Sequence, residues 1–167
     1  MNTFVALGNG KQPFRRLLES VESNLKLMPK PVFIQHGHTR CGSGDFTAAP
    51  FVGMEEFARL IREAKLLIMH AGAGAMIHAI TAGKRPIVMP RMAAYGEVVD
   101  DHQLEFAEAM ANDGKAWLVV NDDNLKHAIE SALMADSPQA AIPGIPPIVG
   151  RVADVLADLE QQHGVRR

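Results

Sequence analysis

Only one cysteine, Cys41, occurs in the 167 residues. A lone thiol cannot build an internal disulfide framework, and its isolation fits a reducing compartment. Neither sign of charge dominates, since 17 lysines and arginines stand against 19 aspartates and glutamates, a formal net charge of -2. Nucleic-acid binders usually show a basic face, so that class of partner is not expected. No apolar run approaches the roughly 20 residues of a membrane-spanning helix. The opening MNTFVALGNG lacks the cationic stretch and long apolar segment of a secretory signal. These absences together predict a soluble, cytoplasmic protein. There is no internal repeat, and the length suits one domain with one sizeable core.

Short apolar runs alternate with segments of helical period. The runs lie at residues 3–7, 31–35, 66–70, 86–90 and 116–120. Each is continuously apolar rather than alternating, the pattern of parallel strands covered on both faces. Helices are predicted over 13–27, 54–64, 75–82, 101–112 and 124–134. In the first, Phe14, Leu17, Leu18, Val21 and Leu25 form an apolar stripe. Gly83 and Gly114 stand at helix C-cap positions, and Asp122-Asp123 is an N-terminal signal. Repeated strand–helix units predict an α/β domain, a parallel sheet with helices on both faces, over residues 1–135. The proline-rich DSPQAAIPGIPP at 136–147 reads as a linker. An amphipathic helix over 148–159 and a short tail to 167 follow it.

Ligands of such sheets bind beyond the carboxyl ends of the strands, so the loops there carry the search for function. Gly8-Asn9-Gly10 follows the first strand, and Ala71-Gly72-Ala73-Gly74 follows the third. Glycine lets a backbone approach a ligand closely, and free amides at the next helix can hold an anion. Glycine also serves ordinary strand-to-helix corners, so either loop alone decides little. Two on one edge fit a diphosphate, which needs several converging donors. After residues 86–90 comes a polar excursion from Arg91 to Asp101, His102 and Gln103. That triplet suits sugar hydroxyls, and it also suits helix capping. His36, His38 and Cys41 with His70 match no strong zinc pattern, so no metal is expected. No companion marks Cys41 as a nucleophile. Lys84 and Arg85 read as a solvated turn.

The combination of His70-Ala71-Gly72-Ala73-Gly74, Ala82-Gly83-Lys84, the 86–90 strand, Arg91, Tyr95-Gly96-Glu97 and Asp101-His102-Gln103-Leu104 resembles the donor-binding, C-terminal half of family 28 glycosyltransferases. The resemblance covers roughly residues 3–134 and is most specific over 70–104. It is nearest to the free-standing soluble subunits of split transferases. One is the soluble half of the N-acetylglucosamine transferase of N-glycan assembly. Others are bacterial exopolysaccharide and capsule transferase subunits.

That resemblance implies a single Rossmann-like domain, the C-terminal half of a GT-B fold. It implies a UDP-sugar donor, a lipid-diphosphate-linked acceptor and a membrane-anchored acceptor-binding partner, which would hold this chain at the inner face of the membrane. By the family pattern, Gly8, Asn9 and Gly10 would face the phosphates and the partner, and Phe51, Val52 and Met54 would hold the uracil. His70 opens the diphosphate segment, and Gly72, Ala73, Gly74 and Ala75 would bind the diphosphate. His78 stands where many members carry a glutamate for the ribose, and Ala75 where many have serine or threonine. Arg91, Asp101, His102 and Gln103 would approach the sugar. UDP is the leaving group, and helix-terminal amides can stabilise its charge without a metal. No cofactor is expected. The general base stays open: His38 and His102 are candidates, and the partner is another source. Two other readings remain, a non-catalytic scaffold with a decayed donor site and a self-sufficient nucleotide-sugar enzyme such as an epimerase. The latter normally needs a second domain around its substrate.

Overall fold

The computed structural model describes residues 3–121 and 124–135. Six strands form one sheet: β1 (Thr3–Ala6), β2 (Val32–Gln35), β3 (Thr47–Ala49), β4 (Leu66–His70), β5 (Ile87–Met89) and β6 (Trp117–Leu118). Five helices accompany them: α1 (Arg15–Ser23), α2 (Met54–Glu63), α3 (Ala73–Thr81), α4 (His102–Asn112) and α5 (Leu125–Met134). Every strand pair is parallel, in the order β3-β2-β1-β4-β5-β6. This is the strand order of the dinucleotide-binding Rossmann fold, whose switch point lies between the strands central here, β1 and β4.

The continuous apolar runs split by pleat. Val5, Leu7, Val32, Ile34, Leu66, Ile68, Ile87 and Met89 face a core built with Leu17, Leu18 and Val21 of α1 and Leu125 and Ile129 of α5. Their neighbours Phe4, Ala6, Leu67, Met69 and Val88 face Leu60 and Ile61 of α2, Met76 and Ala79 of α3, and Ala107 and Met110 of α4. Successive side chains of a strand point to opposite faces. A strand between two helical layers must therefore be apolar at every position.

Where expectation and structure differ, the cause is local. β3 is an additional strand, paired to β2 over residues 47–49. α1 stops at Ser23 and a 3₁₀ turn spans Leu25–Leu27. At that break Asn24 turns its side-chain amide onto the Ser20 carbonyl at 2.8 Å, an alternative to the helical ladder. α3 begins at Ala73, before the expected residue 75, so Ala73 and Gly74 belong to its first turn. Pro86 and Pro90 flank β5 rather than join it, because proline has no N–H for the ladder.

The two glycine caps form as expected. Gly83 and Lys84 donate to Ile80 and Ala79, and Gly114 and Lys115 donate to Ala111 and Met110, the paired bonds of the Schellman motif. Lys84 and Arg85 are not a solvated turn. Lys84 Nζ donates to the Ala64 carbonyl at 2.7 Å, and the Arg85 guanidinium lies 3.7 Å from the Trp117 ring centroid. The Asp122-Asp123 signal, the linker at 136–147 and the helix at 148–159 lie outside the described residues.

Candidate functional site

A cavity of about 320 Å³ opens at the carboxyl ends of β1 and β4, the switch point of the sheet. Gly8 and Asn9 line it from the loop after β1, and Gln35 from the end of β2. Val52, Met54 and Phe57 come from the start of α2, and His70, Gly72, Ala73, Gly74, Ala75 and His78 from β4 and α3.

His70 organises the floor. Its Nδ1 lies 3.4 Å from the Ala6 carbonyl, which can only accept, so Nδ1 carries the hydrogen in this long bond. The ring is gripped by two glycines. A Cβ on Gly8 would lie 2.6 Å from the imidazole, and one on Gly72 would run into its Nε2. Gly8 also has a φ of +85°, a region L-residues avoid. Burial, reinforced by the positive charge of Arg91 and opposed by the bond to Ala6, lowers the His70 pKa to about 4. The imidazole is neutral at pH 7, with Nε2 left as an acceptor.

Above this floor, α3 starts on Gly72, which offers no side-chain cap. The first amides of a helix have no partner within it, so those of Ala73, Gly74 and Ala75 are oriented for an anion entering the cavity. The helix dipole adds partial positive charge at the same end. A Cβ on Gly74 meets nothing within 4 Å, which keeps this approach open.

Gln35, a residue sequence reasoning passed over, fixes the other wall. It is 2% exposed. Its Oε1 accepts from the Gly8 amide at 3.2 Å, and its Nε2 donates to Asn9 Oδ1 at 3.2 Å and to the Pro50 carbonyl at 2.8 Å. One amide thus joins the loop after β1 to the segment leading into α2. The available signal was a polar residue ending the buried strand VFIQ. Phe57, also passed over, packs edge-on against Phe4 and His78.

Other predicted residues lie elsewhere. Phe51 is exposed, with its ring edge-on to His38 at 5.2 Å. Neither lines the cavity, and Gly10 does not either. Arg91, expected to approach a sugar, is 3% exposed and does not reach the cavity. Its guanidinium donates to the carbonyls of Gln12 (2.7 Å), Leu7 (3.0 Å) and Glu97 (3.1 Å). Asp101 precedes α4 without a side-chain cap, and its Oδ1 accepts from the Ala93 amide at 2.8 Å. Gln103 accepts from the Arg91 amide at 3.2 Å. His102 is exposed, 3.8 Å from carboxylates of Asp100 and Glu105. Cys41 packs partly against the core, where burial and then Glu22 raise its pKa. Among the described residues no group of three or more His, Cys, Asp and Glu side chains could hold a metal ion.

Comparison with known proteins bears on the family and the fold. The model of the glycosyltransferase family 28 C-terminal domain matches residues 4–142. A UDP-N-acetylglucosamine–N-acetylmuramyl-(pentapeptide) pyrophosphoryl-undecaprenol N-acetylglucosamine transferase from Rhodospirillum centenum is 30% identical, over 66% of this chain and 30% of that protein. The chain therefore spans under a third of the curated relative it matches. The solution structure of ALG13 superposes with a TM-score of 0.57 at 17% identity, covering 90% of this chain and 94% of that one. The UDP-GlcNAc 2-epimerase of Methanocaldococcus jannaschii, in complex with UDP-GlcNAc and UDP, gives 0.61 at 16% identity, covering 93% and 45%. At such identities the two structures show a shared fold and nothing finer. The match across most of the chain, joined to a parallel sheet of GT-B type with its cavity at the switch point, places this protein in the C-terminal domain family of family 28 glycosyltransferases.

Proposed function

We propose that this chain is the donor-binding component of a two-part transferase that moves a sugar from a UDP-sugar to a lipid-diphosphate-linked acceptor, in bacterial exopolysaccharide or capsule synthesis. One observation carries the reading: the uncapped start of α3, the neutral His70 and the glycines that grip it converge on one cavity at the switch point. In that cavity the α3 amides take the diphosphate, and the segment at Val52 and Met54 takes the base. Departure of UDP builds negative charge beside the helix terminus, the place where preorganised amides stabilise it most. No metal is needed for that step.

The acceptor site belongs to a second, membrane-anchored subunit in this proposal. Of the six exposed large apolar side chains among the described residues, Phe51, Tyr95 and Val99 lie in connections that follow strands of the carboxyl edge and Met54 opens α2 at the cavity, which suits a covering partner. No helix among the described residues is long and apolar enough to cross a membrane, so the chain would sit at the cytoplasmic face through that partner. His38 and His102, both exposed on this edge, are candidate bases; the partner is another source.

Calorimetry with UDP tests the site, with micromolar to sub-millimolar affinity expected. Mixing the chain with a candidate membrane partner, a labelled UDP-sugar and a polyprenyl-diphosphate acceptor tests the reaction. Absence of product across a panel of donors, together with no UDP binding, would overturn the proposal. Ala75 and His78 favour one second reading, a stabilising subunit with a decayed donor site. The ribose side of the cavity then lacks a carboxylate, and a neutral imidazole has less acceptor capacity. No heat with millimolar UDP, in a chain that still stabilises its partner, selects that reading.

A further inference from the structure

Gln35 ends β2 with its side chain buried, and its neighbours fix which way its amide lies. The Gly8 N–H can only donate, so the atom facing it at 3.2 Å is the oxygen Oε1. The Pro50 carbonyl can only accept, so the atom facing it at 2.8 Å is the amine Nε2. Two main-chain groups of opposite kind therefore leave this amide one orientation.

That orientation passes on to Asn9. Gln35 Nε2 also donates to the Asn9 side chain at 3.2 Å, and only the oxygen Oδ1 of that side chain can accept. The Asn9 oxygen is thus committed to the buried side. Its Nδ2 amine makes no hydrogen bond among the described residues, and Asn9 is an exposed residue that lines the cavity. The loop that carries it is held close to the end of β2. A Cβ on Gly37 would run into the Gly8 carbonyl, and the Gly37 amide donates to the same Pro50 carbonyl at 2.8 Å.

We propose that Gln35 is a positioning residue: by holding Asn9 Oδ1 it keeps the Asn9 Nδ2 amine turned to an anionic oxygen of the diphosphate. This rests on the donor-binding reading above, and adds to the α3 amides a donor whose polarity is set from within the fold. With the Asn9 amide reversed, a carbonyl lone pair would meet the anion instead. A donor fixed in advance needs no reorganisation when the anion arrives.

The test uses the full-length chain and UDP, with calorimetry from about pH 5.5 to about pH 8.5 beside thermal melts. In Gln35→Glu the introduced carboxyl keeps the oxygen for the Gly8 amide but, when ionised, has no hydrogen for Asn9 or Pro50. Asn9 must then turn its amine inward. Protonation restores one donor, so the affinity ratio to wild type is expected to be about tenfold down at the alkaline end and to recover toward acid. Groups common to both proteins, His36, His70 and His78 among them, cancel in that ratio. Gln35→Met, with neither donor nor acceptor, should lose about tenfold at every pH. A merely structural glutamine would change melting without giving the two variants different pH profiles. Asn9→Asp keeps the acceptor for Gln35 and removes the amine, so UDP affinity should fall about tenfold or more with melting unchanged. In wild type, the Asn9 side-chain amide signals, assigned by their loss in Asn9→Asp, should shift on adding UDP.

Wild-type affinity in Asn9→Asp overturns the proposal, whether or not the Gln35 variants fold. So do folded Gln35 variants that bind UDP as the wild type does, or Asn9 signals that UDP leaves in place. A wild type that binds no UDP at all overturns the donor reading and this inference with it.

Discussion

Two clusters of loops share the carboxyl edge of the sheet, and they are built in opposite ways. Around β1 and β4 the residues are small and nearly featureless: Gly8, Gly72, Ala73, Gly74 and Ala75 enclose a cavity floored by a neutral His70. Around β5 the residues are charged and chemically conspicuous, yet Arg91, Glu97, Asp101 and Gln103 are engaged with one another and with the main chain. Residues of a catalytic type need not be free for catalysis, and residues with no side-chain chemistry can leave backbone donors free to act. On this edge the bare loops line the cavity and the charged loop is braced against the main chain beside them.

The strongest way to break that contrast is to remove the central support. Arg91→Met is expected to cost about 2–4 kcal/mol, because three carbonyls lose their charge-assisted hydrogen bonds at once. Denaturant unfolding measures it. The same variant should raise the His70 pKa, because the charge of Arg91 is one of the two causes holding it down; titration of the imidazole by NMR reads that directly. A loss below about 1 kcal/mol would place Arg91 among ordinary surface residues.

Gly8→Ala tests the binding side. It combines a left-handed backbone with a collision against His70, for an expected cost of about 2–4 kcal/mol. UDP heat should vanish with it. Gly74→Ala, which meets nothing within 4 Å, is expected to add up to about 1 kcal/mol of helix stability. If both variants behave alike, the grip on His70 is not what shapes the site.

The contrast also explains what could be read beforehand. Five strands announced themselves as apolar runs, because nearly every position of a strand covered on both faces has to be apolar. β3 did not, since Thr47 and Ala48 are exposed on the sheet's outer strand and no apolar run marks them. Glycine loops on the two central strands were legible through their position after a strand and before a helix. The supporting network was not, because Arg16 and Glu97 are 81 residues apart in sequence and no local spacing announces a contact at that distance. Arg91 is the instructive case. Its residue type points to a ligand, and only burial with three carbonyl partners assigns it to the scaffold.

A smaller effect is expected from acid. In the folded chain His70 titrates near 4, below the unfolded value of about 6.5. The unfolded chain therefore binds more protons between those values, and stability falls as pH drops through that window. The loss approaches about 3 kcal/mol once pH is below 4, with none arising from this group above 6.5. Subtracting the same curve for His70→Gln isolates the contribution. A difference that does not change between pH 7 and pH 4 would show that the imidazole is not held neutral by its surroundings.

The smallest structural effect is assigned to the two exposed histidines, and they sharpen the comparison furthest. The His102 side chain makes solvent-facing contacts at 3.8 Å, and that of His38 an edge contact to an exposed ring. Replacing either by alanine should change stability by less than about 0.5 kcal/mol and leave UDP affinity unaltered, because neither lines the cavity. Transfer activity with the partner then becomes the discriminating measurement. A drop of about 10²–10⁴-fold in turnover for one variant, at unchanged UDP affinity, would identify a general base on this chain. Full activity in both would assign proton removal to the partner, leaving this domain to bind the donor and stabilise its departing diphosphate.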